Sequence, residues 1–147
     1  MIKFFKESEE DQYTIIVGCG RLGANIANAL SDKGGNVLVI DKNKDAFRRL
    51  SSGFGGLTIV GDGTDLDTLE EAQVENAAVV VAVSNNDNVN IMVSQIARNM
   101  YHTKRVIARL FDPEKKCVFR TDGIHVICPA ALSAQEIGQL LENNENE

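Results

Sequence analysis

The chain has little of what membrane insertion, secretion or nucleic-acid binding would require. No apolar run exceeds Ala77 to Val83, which is strand-sized, so no membrane-spanning helix is expected. The opening MIKFF has neither an h-region nor a small-residue cleavage site after it, and no signal peptide is expected there. Cysteine is scarce. Cys19, Cys117 and Cys128 are odd in number and form no C-x-x-C pair, which argues against a disulfide framework and for a reduced, cytosolic setting. Basic charge is outweighed: 15 Lys and Arg face 21 Asp and Glu, a net charge of −6. Generic binding to nucleic acid or to an anionic membrane surface needs the opposite field. A local basic stretch (Lys104, Arg105, Arg109, Lys115, Lys116, Arg120) is interrupted by Asp112 and Glu114 and reads as a solvated helix face. Catalytic apparatus is missing too. There is no Ser/His/Asp set, no metal-ligand cluster and no general acid placed to serve hydride transfer. His102, in the loop before the fifth predicted strand, and His125, within the sixth, read as structural.

What remains is one α/β domain. The 147 residues, 44% of them hydrophobic and 24% charged, suit one globular domain and leave no room for a substrate domain beside it. Six short β-branched runs recur: YTIIVG (13–18), NVLVID (36–41), LTIV (57–60), AVVVAV (78–83), RVIARL (105–110) and IHVIC (124–128). Most are continuously apolar, as parallel strands covered on both faces are. Helical patterns separate them. Leu22, Ile26 and Leu30 mark the first, Phe47 and Leu50 a second, and Leu66 and Leu69 a shorter third. From Val89 to Met100, apolar residues at 89, 92, 93, 96, 97 and 100 give a clean 3.6-residue stripe. This alternation predicts a Rossmann-type, doubly wound parallel sheet of six strands in the order 3-2-1-4-5-6. Residues 13–129 form that domain. Residues 1–12 and the acidic tail are polar enough to fray, and residues 130–147 carry a last helix. Its apolar residues, Leu132, Ile137, Leu140 and Leu141, fall on more than one face, as in an interface helix.

The segment VGCGRLGANIANAL places Gly18, Gly20 and Gly23 directly after a strand and at the opening of a helix. In that context G-x-G-x-x-G is a dinucleotide fingerprint: the first glycine permits the turn, the second lets the backbone approach a pyrophosphate, and the third lets helix and strand pack closely. The helix N-terminus favours the anion. Cys19, Arg21 and Leu22 complete the loop, Cys19 either as a small filler or as a thiol activated by the helix end. Asp41 ends the second strand about 20 residues on, where a carboxylate accepts hydrogen bonds from ribose hydroxyls and repels a 2′-phosphate. Lys42 and Lys44 weaken that exclusion. In GDGTD (61–65), Asp62 and Gly63 either face the adenine edge or make a turn, with Thr64 or Asp65 capping the next helix. In SNNDNVN (84–90), Ser84 and Asn85 would lie near the phosphates or the distal sugar, and the other Asn and Asp residues read as caps. Arg21 and Arg109 each call for an anion, either a ligand phosphate or a neighbouring carboxylate.

These residues carry a family resemblance. IIVGCGRLGANIANAL, VLVIDKN, IVGDGTD, AVVVAVSNNDNVNIMVSQIAR and RVIARLFDPE, spanning about Tyr13 to Pro129, resemble the N-terminal nucleotide-binding domain of the Trk/Ktr potassium-uptake regulators. These are the RCK (regulator of potassium conductance) proteins, with TrkA as namesake. The resemblance implies a cytosolic, non-enzymatic subunit at the inner face of the cell membrane. Such a subunit binds NAD(H) or ATP/ADP, with AMP also admitted, and gates a potassium-translocating membrane partner as a dimer or ring. Gly18, Gly20, Arg21, Gly23 and Asp41 fall on the family's binding motif, and Asp62 and Arg109 also correspond. There are departures. Ala130 and Ala131 follow Pro129 where the family often has an acid, and the acid that some members place near the position of Phe119 to help hold a divalent ion is not carried over to this chain. Many relatives also continue into a C-terminal RCK domain. Its absence before Glu147 means either that this is a piece of a longer chain or that a second RCK subunit supplies it. Two other readings stay open: the cofactor-binding half of an NAD-dependent oxidoreductase, and a redox-responsive DNA-binding regulator, for which no helix-turn-helix or basic stripe is present.

Overall fold

A computed structural model describes residues 12–118 and 123–143. The predicted fraying of the first residues and of the acidic tail, and the positions Phe119 and Arg120, lie outside the described residues.

Each apolar run becomes a parallel strand: β1 (Thr14–Val17), β2 (Val37–Asp41), β3 (Leu57–Val60), β4 (Val79–Ala82), β5 (Arg105–Arg109) and β6 (Ile124–Ile127). Their order is β3-β2-β1-β4-β5-β6, so the sequence-based expectation holds strand by strand. Burial explains the continuous hydrophobicity. β1 and β4 are buried along their whole length because both sheet faces are covered. Ile15, Val17, Leu38, Ile40, Val80, Ala82, Val106 and Ala108 point to one core, beneath α2 (Leu66–Glu71) and α3 (Asp87–Gln95). Ile16, Val37, Val39, Val79, Val81 and Val83 point to the other, beneath α1 (Arg21–Asp32). Strand parity thus assigns the buried apolar side chains of the central strands to one of two layers, while Leu57 and Val60 of the edge strand β3 stay exposed.

The helices depart from expectation in detail. The pattern at Phe47 and Leu50 is one 3₁₀ stretch, Lys44–Arg49, capped by Asn43, whose side chain accepts from the Asp45 amide. Both residues still pack on the core. The Val89–Met100 stripe is α3 continued by a π-helical turn, Ile96–Met100. The C-terminal helix α4 spans Pro129–Asn143 and has no buried residue; Leu132, Ile137, Leu140 and Leu141 are each more than half exposed.

Candidate nucleotide site

All five strand-end loops of interest lie at the carboxyl edge of the sheet, around the point between β1 and β4 where the strand order reverses. That crevice is where doubly wound sheets bind ligands. Gly18 sits at φ +108, a conformation L side chains rarely adopt, and a Cβ there would lie 2.6 Å from the Ser84 nitrogen. Gly23 is equally constrained: its Cβ would lie 1.9 Å from the Gly18 carbonyl oxygen. The two residues let α1 and the β4 turn close on β1. Gly20 differs from both. Nothing lies within 4 Å of its added Cβ, so its missing side chain leaves open space rather than relieving a contact. It is also the N-cap of α1, with no side-chain cap and no acid in the first turn. An uncapped helix N-terminus with an open approach is what a phosphate anion fits. Arg21, exposed at the first position of α1, adds a cation with no partner among the described residues. Leu22 is half-exposed beside it.

Asp41 closes the loop from the β2 side. Its Oδ2 accepts from the Cys19 amide at 2.8 Å and its Oδ1 from the Asn43 amide at 2.8 Å. The carboxylate that would meet a ribose therefore also fixes the loop. Cys19 is wholly buried, and burial followed by the nearby Asp41 carboxylate pushes its thiol up, against a smaller pull from Arg49. The filler reading of Cys19 fits this setting, and an activated thiolate does not.

In the third loop Asp62 Oδ1 accepts from the Thr64 amide at 2.9 Å and hydroxyl at 2.7 Å, and Oδ2 pairs with Lys42 Nζ at 3.3 Å. Gly63 is buried against Val17, and Asp65 caps α2 by accepting from the Asp67 amide. The Thr64 hydrogen bonds, and then Lys42, hold the Asp62 carboxyl below its ordinary value of 3.8. A depressed carboxyl stabilises the fold above its unfolded pKa, and that contribution is lost as pH falls through the lower folded value. In urea titrations Asp62→Asn is expected to be less stable than the native chain at neutral pH. The difference, at most about 1 kcal/mol for so exposed a pair, should shrink as pH falls below 3.8. An equal gap at pH about 2 and about 7 would remove this reading.

On the β4 side, Ser84 and Asn85 flank the crevice, and Asn86 caps α3, accepting from the Asn88 and Val89 amides. Arg109 is half-buried and meets no carboxylate at contact distance among the described residues. Its Nη2 donates to the Val83 and Ser84 carbonyls at 2.8 and 3.0 Å, and its guanidinium lies 4.8 Å from the Phe111 ring centroid. Burial pushes its pKa down, partly offset by Asp87. Two residues that turn chemistry alone does not single out belong to this region. Asp87, buried, accepts from the Phe111 and Asp112 amides at 2.8 and 3.0 Å, and Asn90 is wholly buried behind Ser84. His102 lies at the opposite edge, before β5, and His125 is exposed on β6; neither reaches the loop. Among the described residues no cluster of His, Cys, Asp and Glu could hold a metal, and no helix is long and apolar enough to cross a membrane.

With this geometry in hand, comparison with known proteins gives consistent matches. The TrkA-N domain model matches residues 14–129. The Trk system potassium uptake protein TrkA of Streptomyces coelicolor is 41% identical over 125 residues, 85% of this chain and 56% of that protein. A TrkA homolog from Methanothermobacter thermautotrophicus is 35% identical over 130 residues, 88% of this chain and 60% of its own length. The chain thus spans little more than half the length of these relatives. Among solved structures, the GsuK channel bound to NAD superposes with a TM-score of 0.76 at 27% identity, covering 92% of this chain and 24% of that one. The same protein bound to ADP gives 0.73 at 26%, covering 93% and 35%.

Proposed function

Because the chain belongs to the TrkA-N domain family, we propose that it is a nucleotide-sensing domain that binds NAD(H) or ADP/ATP and regulates a membrane potassium transporter. The observation that carries this reading is the open, uncapped α1 N-terminus at Gly20, faced by a strand-end carboxylate at Asp41. The first-turn amides and Arg21 would take the pyrophosphate, Asp41 the adenosine ribose, and the Ser84–Asn85 turn the distal half. AMP, which fills only the adenosine half, would bind through the same contacts. Lys42 is engaged by Asp62, which limits its use against a 2′-phosphate and supports NAD(H) over its phosphorylated form. The GsuK structures with NAD and ADP support this choice of ligands. Relatives named for potassium uptake rather than for a catalysed reaction weigh against the oxidoreductase reading.

Regulation would work by differential affinity: a nucleotide shifts the assembly only as far as it prefers one conformation over another. The assembly would be a dimer or ring at the cytoplasmic face, beside the membrane subunit or a second RCK subunit. The exposed apolar residues of α4 support self-association, since such a face is costly to leave in water. Calorimetric titration with NAD, NADH, ADP and ATP is expected to give saturable binding, with sedimentation showing a species larger than one chain. Absence of binding to all four would sink the sensor proposal. A strict monomer at high concentration with nucleotide would remove the assembly.

A further inference from the structure

Asn90, in α3, uses its whole hydrogen-bonding capacity while wholly buried. Its Oδ1 accepts from the Ser84 amide at 2.9 Å and the Ser84 hydroxyl at 2.7 Å. Its Nδ2 donates to the Ser84 carbonyl at 3.0 Å and to the Arg109 carbonyl at 2.9 Å. Arg109 Nη2 then donates back to the carbonyls of Val83 and Ser84. Both backbone groups of Ser84 are thereby held by side chains from outside the strand ladder. One turn earlier on α3, Asp87 holds the amides of Phe111 and Asp112 just beyond β5.

The pinned backbone matters because of what rests on it. Ser84 is the group Gly18 abuts, so the turn after β4 and the glycine loop share a wall of the crevice. The strand order reverses between β1 and β4, which puts Asp41 on one side of the pyrophosphate position and Ser84 on the other. An adenosine diphosphate fills the Asp41 side and the centre. A dinucleotide must also use the Ser84 side.

We infer that Asn90 is a positioning residue for the distal half of the nucleotide site, holding the Ser84 turn in the shape that receives the second nucleoside of a dinucleotide. This rests on the nucleotide reading above and deepens it. Asn90 touches no ligand; it acts through Ser84, with Arg109 as the second clamp. An apolar side chain of similar size would fill the space but leave the Ser84 amide and the Ser84 and Arg109 carbonyls short of partners.

The test compares NADH with ADP on Asn90→Asp, which keeps the shape and loses both donors, and on Asn90→Ser, which carries the same comparison if the aspartate variant does not fold. NADH binding is expected to weaken about tenfold while ADP binding changes by less than about twofold. Ser94→Ala is the control: its buried hydroxyl donates to the Asn90 backbone carbonyl at 2.6 Å, outside the clamp. It is expected to lower the melting temperature and leave the NADH-to-ADP ratio unchanged. Equal weakening of both ligands, or the same ratio change in Ser94→Ala, would show that Asn90 only supports the fold and overturn the inference. A native chain that binds ADP but not NADH would overturn it while leaving the nucleotide reading intact. A native chain that binds neither removes both.

Discussion

Gly20→Ala is expected to melt like the native chain and to bind NADH or ADP at least about tenfold more weakly, whereas Gly23→Ala is expected not to hold the native packing. The two glycines stand three positions apart in one motif, yet their surroundings are opposite. Gly20 has φ −81 and ψ −163, which alanine adopts without strain, and its Cβ would enter space with no atom within 4 Å. Only a ligand approaching the α1 N-terminus would meet that methyl group. At Gly23 the Cβ would overlap the Gly18 carbonyl oxygen at 1.9 Å and crowd its carbon at 3.0 Å. Both atoms are backbone, so α1 must move away from β1 and loosen the buried contacts of Ala24 and Ala27. Overpacking of this kind costs about 3 kcal/mol or more when the neighbour cannot yield. Thermal melts and titrations on the two variants separate the roles. Native-like binding by Gly20→Ala would mean that no pyrophosphate approaches this loop.

The strands were legible because burial on both faces leaves a continuous apolar run, and because right-handed crossovers leave few orders for six parallel strands. The glycine spacing was legible for the same physical reason it exists: Gly18 and Gly23 make backbone contacts no other residue permits. Less visible was what polar side chains do once buried. In SNNDNVN every Asn and Asp looks like a helix cap, but Asn86 alone accepts from both the Asn88 and Val89 amides at the α3 N-terminus. Asn90 had a signal of its own. It lies three and seven positions before Val93 and Ala97, on the face of α3 that is buried. A polar residue on such a stripe is held by buried partners, here Ser84 and Arg109. Arg109 shows the converse. At a strand end it calls for an anion, but two backbone carbonyls and an aromatic face satisfy much of that need, and the carbonyls come from Val83 and Ser84, distant in the chain. The 3₁₀ stretch at Lys44–Arg49 was hidden because two apolar residues cannot distinguish one tight turn from the start of a helix.

Asp41→Ala is expected to lose nucleotide affinity by at least about tenfold and to lower stability as well, because one carboxylate does two tasks. Its oxygens hold the Cys19 and Asn43 amides at 2.8 Å each, so its removal releases the loop that frames the pyrophosphate position. Hydrogen bonds to a charged acceptor contribute about 1.5–3 kcal/mol each, and with the site half-exposed the lower end of that range is the expected loss in urea titrations. Asp41→Asn divides the two tasks. An asparagine keeps one acceptor oxygen for the loop but removes the charge that grips paired ribose hydroxyls and repels a 2′-phosphate. Its melting temperature should therefore fall less than that of Asp41→Ala, while its preference for NADH over NADPH should narrow as sharply. If Asp41→Asn keeps that preference and loses affinity only in step with stability, the carboxylate serves the loop alone. The ribose would then be read elsewhere, with the Asp62 turn and its Lys42 pair the next group along the edge.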